Sequence, residues 1–274
     1  MPRDVGNACW GIASLRHGVE APAFFEAVSL DAPQRIGDFD ARSLSNLVWA
    51  YATLGLSANA LFGSVAEAGL HKVAAFDAKA LSDAVWAFAT ARVRAPSFLA
   101  AAADEAAKKP ETFDAQALAN TVWAYATLEF DAPALFKAAA AEAPKKIWTF
   151  NAQSLSRTAW AFATAGVSAP ALFEAVAAEG ARRMAAFEPR DLANTAWAFA
   201  AAGFDAPELF EAVAGESRKK LETFGAQDLA ATAWAFAEAR ISAPQLFDAV
   251  AEVALGKMDS FDGEAVSRIV WAYA

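Results

Sequence analysis

The chain has 274 residues, of which 57% are hydrophobic, and its net charge at pH 7 is −9. Every stretch of 18 residues contains a charged or polar interruption, which excludes a membrane-spanning helix, and a single cysteine excludes an internal disulfide. The acidic charge argues against indiscriminate attraction to a polyanion.

An internal repeat organises the whole chain. Phenylalanine recurs every 37 residues, and so does tryptophan. Such a period predicts a stacked array whose units bury their apolar faces against their neighbours. The phenylalanines are Phe39, Phe76, Phe113, Phe150, Phe187, Phe224 and Phe261, and the tryptophans are Trp49, Trp86, Trp123, Trp160, Trp197, Trp234 and Trp271.

The repeats form one domain over residues 1–274. Trp10 lies 39 residues before Trp49, which we assign to two extra loop residues around Arg16 and His17. The first and last repeats lack part of their pattern, so we expect the chain to be a segment of a longer protein, with any presequence outside it. The repeats span 1–38, 39–75, 76–112, 113–149, 150–186, 187–223, 224–260 and, in part, 261–274.

Each repeat predicts two helices. In the copy 150–186, Asn151 is a good N-cap for helix A and Gly166 suits its left-handed exit. Ser168 and Pro170 predict the start of helix B. Similar residues predict N-caps elsewhere: Asp40, Asp77, Asp114, Glu188 and Asp262 for helix A, and Ser57, Asp131, Asp205 and Ser242 for helix B. Short loops make the paired helices antiparallel, so we expect an all-α solenoid, a right-handed superhelix of antiparallel helical hairpins.

Pairs of cations recur at the end of helix B. These dyads are Lys108–Lys109, Lys145–Lys146, Arg182–Arg183 and Lys219–Lys220, and Lys72 and Lys257 continue them more weakly. Because equivalent positions stack, we expect one basic row that holds phosphates of a single strand. The alternative is that these cations complement the helix dipole and pair with Glu105, Glu142, Glu179 and Glu216, one turn earlier.

A second row lies on helix A, opposite its apolar face. The residue three positions before each tryptophan, and the residue four positions before that one, are mostly Asn, Gln or Arg. Such groups suit the edges of unpaired bases, and base-reading repeats use two or three variable positions. The alternative is that they face water or bond to the adjacent helix. The base-reading candidates of this polar row are Asn46, Asp83, Asn120, Arg157, Asn194, Arg268, Gln116, Gln153, Arg190 and Gln227.

The sequence offers no catalytic or metal-binding group. His17 and His71 cannot build a metal site or a proton relay, and neither a glycine-rich phosphate loop nor a nucleophile elbow occurs. Cys9 is interpreted as a small buried hydrophobe. The tryptophans are interpreted as wedges between repeats rather than as base-stacking platforms. We therefore expect a protein that is not an enzyme and has no metal, cofactor or small-molecule substrate.

The motif Phe-Asp/Asn-Ala-Gln-x-Leu, followed by Thr-Ala/Val-Trp-Ala-Phe/Tyr-Ala, recurs with small changes at 113–127, 150–164 and 187–201. It resembles the heptatricopeptide repeats of organellar RNA-binding proteins in algae and apicomplexan parasites. It is also similar to octotricopeptide repeats and to the helical regions of FAST-kinase-like and RNA-editing substrate-binding proteins. The resemblance implies an RNA-binding solenoid of the mitochondrial matrix, or alternatively of the plastid, that acts in transcript processing, stability, translation or ribosomal RNA assembly.

The sequence is compatible with two functions. The leading hypothesis is a single-stranded RNA-binding solenoid, with ribosomal or RNA-processing proteins as further partners. The alternative is a protein-binding scaffold of armadillo or HEAT type, which the acidic net charge favours. The repeated dyads and the resemblance favour RNA.

Overall fold

The computed structural model describes residues 2–15 and 21–274, and the two inserted loop residues predicted around Arg16 and His17 lie outside these ranges. The described residues form fifteen α-helices without any strand, in a fold of the α-solenoid type. The prediction of an all-α solenoid is confirmed. Helices A are α1 (Pro2–Ser14), α3 (Ala41–Thr53), α5 (Ala78–Thr90), α7 (Ala115–Thr127), α9 (Ala152–Thr164), α11 (Pro189–Ala201), α13 (Ala226–Glu238) and α15 (Gly263–Tyr273).

Helices B alternate with helices A along the chain. They are α2 (Pro22–Asp31), α4 (Asn59–His71), α6 (Pro96–Lys108), α8 (Pro133–Glu142), α10 (Pro170–Arg182), α12 (Pro207–Lys220) and α14 (Pro244–Gly256). A short 3-10 segment follows each helix B and leads to the next helix A. These segments are Ala32–Asp38, Val73–Ala75, Pro110–Thr112, Ala143–Thr149, Met184–Ala186, Leu221–Thr223 and Met258–Ser260.

The chain divides into two compact units, residues 1–139 and 140–274. In the first unit α1, α3, α5 and α7 pack side by side in chain order, and α2, α4 and α6 form a second layer. In the second unit α9, α11, α13 and α15 form one layer and α10, α12 and α14 the other. Within each unit, these helices A thus pack against the helices A of neighbouring repeats, and these helices B against the helices B, so that each unit has two layers.

Aromatic side chains fill the space between the two layers. Six of the seven repeated phenylalanines that precede helix A are buried, and Phe261 is half-buried. Phe39, Phe150 and Phe187 have no exposed surface. Two residues after five of the repeated tryptophans, a Phe or Tyr ring packs edge-on against an aromatic ring of a helix B, as between Phe173 and Phe199 at 5.0 Å. The Tyr125 hydroxyl also donates to the Leu99 carbonyl at 2.7 Å. The periodic aromatics therefore hold the two layers together.

The start and end of helix A follow the sequence signals. The side chains of Asp40, Asp77, Asp114, Asn151 and Asp262 accept hydrogen bonds from the backbone amides of the third residue inside their helices. Gly166 has φ +64°, the left-handed exit that its position predicted. Glu188 is the N-cap of α11, as predicted, and the Asp191 side chain accepts from the Glu188 amide at 3.3 Å in a capping box.

The predicted side-chain caps are wrong for four helices B: α4, α10, α12 and α14. The N-cap of α10 is Ala169, one residue after Ser168, and no side chain caps this helix end. The same holds at Ala58, Ala206 and Ala243, the residues that follow Ser57, Asp205 and Ser242. Proline at the first turn of α10, α12 and α14 lacks an amide hydrogen, so these helix ends have one donor fewer to satisfy.

Candidate nucleic-acid interface

The first cation of each dyad points into solvent. The side chains of Lys108, Lys145, Arg182 and Lys219 are 69, 67, 67 and 70% exposed. Each pairs with the glutamate three residues earlier, at 3.2, 2.9, 2.6 and 2.8 Å respectively. The charged groups are nevertheless accessible, so they can meet a polyanion.

The second cation of three dyads joins neighbouring repeats. The Arg183 guanidinium donates to the Phe150 carbonyl at 2.8 Å, and Lys220 Nζ donates to the Phe187 carbonyl at 2.7 Å. Lys109 binds the Phe76 carbonyl in the same way at 3.0 Å. These three side chains bridge the end of helix B to the segment that precedes a helix A about one repeat earlier. Lys146, the second cation of the remaining dyad, lies 3.0 Å from Glu142.

Lys72 and Lys257 bind backbone carbonyls, like the second cations of those three dyads and unlike the exposed first cations. Lys72 Nζ donates to the carbonyls of Gly37 and Phe39, both at 2.6 Å. Lys257 Nζ donates to those of Glu222 and Phe224, at 2.7 and 2.8 Å. The basic row therefore contains two kinds of cation, and sequence position alone does not tell them apart.

One glutamate anchors each dyad. Glu142, Glu179 and Glu216 are buried, and each accepts from both cations of its dyad. Hydrogen bonds from the dyads lower the pKa of these carboxyls and of Glu105. Two cations and one carboxylate leave a net charge of +1 on each group. The pairing with glutamates that sequence analysis gave as the alternative is thus present, and it leaves positive charge at the surface.

The depressed carboxyl pKa values make stability depend on pH. The ion pairs stabilise the fold fully above about pH 4.3, the ordinary value of an unfolded glutamate, and this contribution is lost as the pH falls through the lower folded values. We expect urea denaturation to show less stability at about pH 3 than at about pH 7. A Glu142→Gln, Glu179→Gln, Glu216→Gln variant should lose less on acidification, and an equal loss in both proteins would contradict these roles.

The polar row lies on the outer face of helices A. We call the residues seven positions before a tryptophan the outer positions and those three positions before it the inner positions. The outer positions Gln116, Gln153, Arg190 and Gln227 are exposed. The inner positions are more covered: Asn46, Asp83, Arg157, Asn194 and Arg268 are half-buried, and Asn120 is buried. Burial, and then the charge of nearby Arg190, lowers the pKa of Arg157. Among the ten predicted residues, the outer positions are thus the more accessible.

Several members of the polar row bind one another or the next repeat. Asn46 donates to Asn7 at 3.2 Å, and Gln227 donates to the N-cap Asp262 of the following helix at 2.6 Å. Within single helices, Lys79 pairs with Asp83 at 2.7 Å and Arg268 with Glu264 at 2.5 Å. The bonding to adjacent helices that sequence analysis left open is therefore present at some positions, where a base would have to replace these contacts.

A groove lies along the polar row in the first unit. Its volume is about 400 Å³, and its lining includes Asn7, Asn46, Asp83, Arg42 and Lys79. Trp10 forms part of the same wall. Asp77 also lines the groove, so two amides, two carboxylates and two cations lie beside the Trp10 indole. Amides, cations and aromatic rings are groups that unpaired bases and phosphates contact in proteins.

The repeated tryptophans stand beside the polar row and contact each other between repeats. In the second unit the ring centroids of Trp160 and Trp197 are 6.4 Å apart, and those of Trp197 and Trp234 are 6.2 Å apart. In the first unit Trp49 lies 6.2 Å from Trp10 and 6.5 Å from Trp86. The interplanar angles of these pairs are 32 to 37°. The contacts support the interpretation of these rings as wedges between repeats.

Comparison with known proteins does not assign the chain to a family. No protein-family model matches the chain, and no curated protein matches it. The resemblance to organellar helical repeats therefore stands on the repeat motif alone.

Among the described residues, no helix has the length and apolar character needed to cross a membrane. In the same part of the chain, no group of three or more His, Cys, Asp and Glu side chains is placed to hold a metal ion. Cys9 is fully buried, and burial raises the pKa of its thiol to about 12. The thiol is therefore protonated and shielded from reagents at neutral pH.

Sequence reasoning missed one exposed aromatic. Nine tryptophans occur, and eight of them belong to the repeated position in helix A. The ninth, Trp148, lies in the 3-10 segment Ala143–Thr149 and is 64% exposed. Its departure from the period was the signal that could have found it.

Proposed function

We propose that the protein is a non-catalytic, single-stranded RNA-binding solenoid that uses its basic and polar rows. The observation that carries this proposal is the recurrence of one accessible cation at the end of successive helices B. Lys145, Arg182 and Lys219 occupy equivalent places in the second unit, each about two thirds exposed. Single-strand binding proteins combine such a cationic track with nearby aromatic and polar groups.

In this proposal the two cations of a dyad have separate tasks. The first cation contacts phosphate, because its head group is exposed. The second holds neighbouring repeats at their spacing, because its donors are directed at a backbone carbonyl and a glutamate, as for Arg183. The phosphate contacts therefore come to one per repeat, and they carry no sequence preference.

The polar row supplies contacts to bases. Amide and guanidinium groups can donate to and accept from the base edges that a single strand leaves open. Gln116, Gln153 and Arg190 are the exposed candidates, and the half-buried inner positions vary from one repeat to the next. Variation at an otherwise regular position supports sequence-dependent contact rather than a purely structural role.

The cellular setting rests on the motif resemblance. We place the protein in the mitochondrial matrix, with the plastid as alternative, in transcript processing, stability, translation or ribosomal RNA assembly. Ribosomal or RNA-processing proteins would be its further partners. Nothing in this role requires a cofactor or a chemical step.

A protein-binding scaffold is the second candidate, and the net charge of −9 favours it. An acidic surface attracts basic proteins and repels nucleic acid at long range. The two candidates differ in which charges matter: RNA needs the exposed cations, whereas a basic protein partner would be held by the acidic groups.

A charge-removal variant tests the proposal. Lys145→Gln, Arg182→Gln and Lys219→Gln together should weaken binding of mixed single-stranded RNA roughly 10- to 100-fold at about 0.1 M salt, because three phosphate contacts are lost. The matched control is Arg92→Gln, Arg94→Gln, Arg240→Gln. It removes the same charge from exposed loops between helix A and helix B, at the opposite end of the hairpins.

We expect the control variant to bind RNA within about threefold of the unaltered protein, since distant exposed charges are screened by salt. Fluorescence anisotropy with a labelled RNA pool measures both. Equal affinity in the two triple variants would contradict phosphate contact at the dyads.

A further inference from the structure

Trp148 is a large apolar residue at a position where other repeats have small or acidic residues. These are Gly37, Ala74, Glu111, Ala185, Glu222 and Asp259. The Trp148 ring is 64% exposed, whereas the tryptophans of helix A contact one another between repeats. A large apolar ring placed in water at a position that accepts glycine gains little from folding, so its presence calls for an external contact.

Cationic contacts occur on both sides of Trp148 in the chain. Lys145, three residues earlier in the same 3-10 segment, has a side chain that is 67% exposed. Two residues after Trp148, the Phe150 carbonyl accepts a hydrogen bond from Arg183 at 2.8 Å. Trp148 therefore lies in the chain between a cation of its own dyad and the backbone carbonyl that binds a cation of the next dyad.

The 3-10 segment that contains Trp148 carries no acidic residue. The segments Ala32–Asp38, Pro110–Thr112, Leu221–Thr223 and Met258–Ser260 each contain one. The segments Val73–Ala75, Ala143–Thr149 and Met184–Ala186 contain none. No acidic residue of its own segment therefore opposes the attraction of a polyanion to the dyad beside Trp148.

We propose that Trp148 is a stacking platform for one nucleobase of a single strand whose phosphates follow the basic row. This inference rests on the proposed RNA binding and names the residue that anchors the strand. Exposed aromatic rings beside a cationic track take bases in this way, with little preference for base identity because every base has a π-face. The neighbouring phosphates would be held by Lys145 and Arg182.

The test compares two probes and three variants. The probes are a single-stranded RNA and an abasic ribose-phosphate strand of the same length, which keeps the phosphates and lacks the bases. The variants are Trp148→Ala, Trp148→Phe and Leu255→Ala. The last removes another apolar side chain that is 74% exposed but lies on helix α14.

We expect Trp148→Ala to weaken RNA binding about 5- to 100-fold, the range for loss of one base–aromatic stack. Trp148→Phe should retain most of the affinity, and Leu255→Ala should retain all of it. The abasic strand should bind the unaltered protein and Trp148→Ala equally, because its contacts are to phosphate alone.

Three results would overturn the inference. One is unchanged RNA affinity in Trp148→Ala, and another is an equal loss for the abasic strand. The third is a lowered denaturation midpoint in Trp148→Ala, which would make the ring structural. If the unaltered protein binds neither probe, the proposed function itself fails, whereas normal RNA binding by Trp148→Ala removes only the role of Trp148.

Discussion

Phe187→Ala should lower the free energy of unfolding by about 3 to 5 kcal/mol. The ring has no exposed surface and directly precedes helix α11, so its loss leaves a cavity between the two layers. A Cβ built on Gly180 of α10 would lie only 3.7 Å from Phe187 Cζ, which shows how closely the helix backbone approaches the ring. Urea denaturation measures the change.

Leu255→Ala is the matched control for this substitution. It also shortens a large apolar side chain, but Leu255 is 74% exposed, so stability should change by no more than about 0.5 kcal/mol. A Phe187→Ala protein as stable as Leu255→Ala would show that the periodic phenylalanine does not hold the layers together.

The second large effect concerns the repeated tryptophans. Trp197 is partly exposed, and its ring lies 6.4 Å from that of Trp160 and 6.2 Å from that of Trp234. Trp197→Ala should cost about 3 kcal/mol, near the lower limit for such truncations because the ring is not fully buried. Hydrogen exchange should show lost protection in α9, α11 and α13 first, since each repeat contacts only its neighbours.

RNA binding distinguishes tryptophan rings that pack between repeats from rings that stack on bases. If the Trp197 ring only packs between repeats, the Trp197→Ala variant should bind RNA with an affinity within a few fold of that of the unaltered protein. The measurement is made under conditions where the variant remains folded. A variant of full stability that has lost RNA binding would instead assign Trp197 to base stacking, and the contrast with Trp148 would disappear.

Helix A could be predicted residue by residue because its signals are local. Asp40, Asp77 and Asn151 are good caps by side-chain chemistry, and the apolar residues that follow fit one helical face. Helix B was predicted, but its caps were not. Ser168 is a better cap than Ala169 by chemistry, yet the helix begins at Pro170 and its N-cap is Ala169.

The basic row shows the limit of sequence reasoning at the site. Lys219 and Lys220 are adjacent and chemically identical, yet one is 70% exposed and the other binds a carbonyl 33 residues earlier in the chain. That contact depends on how two repeats stack, which no local pattern encodes. The same holds for the polar row, where Asn46 meets Asn7 of the previous repeat. The basic and polar rows could be predicted from the sequence, but the packing of the repeats determines which of their residues face solvent.

Phosphate contact along the basic row is the central feature of the proposed RNA binding, and the salt dependence of that binding tests it most directly. For single strands, the slope of log K against log salt is about −0.7 for each phosphate contact, so Lys145, Arg182 and Lys219 alone should give about −2 between roughly 50 and 200 mM salt. The triple Gln variant of these residues should be flatter by about two units. A slope near zero, or the same slope in both proteins, would contradict the account.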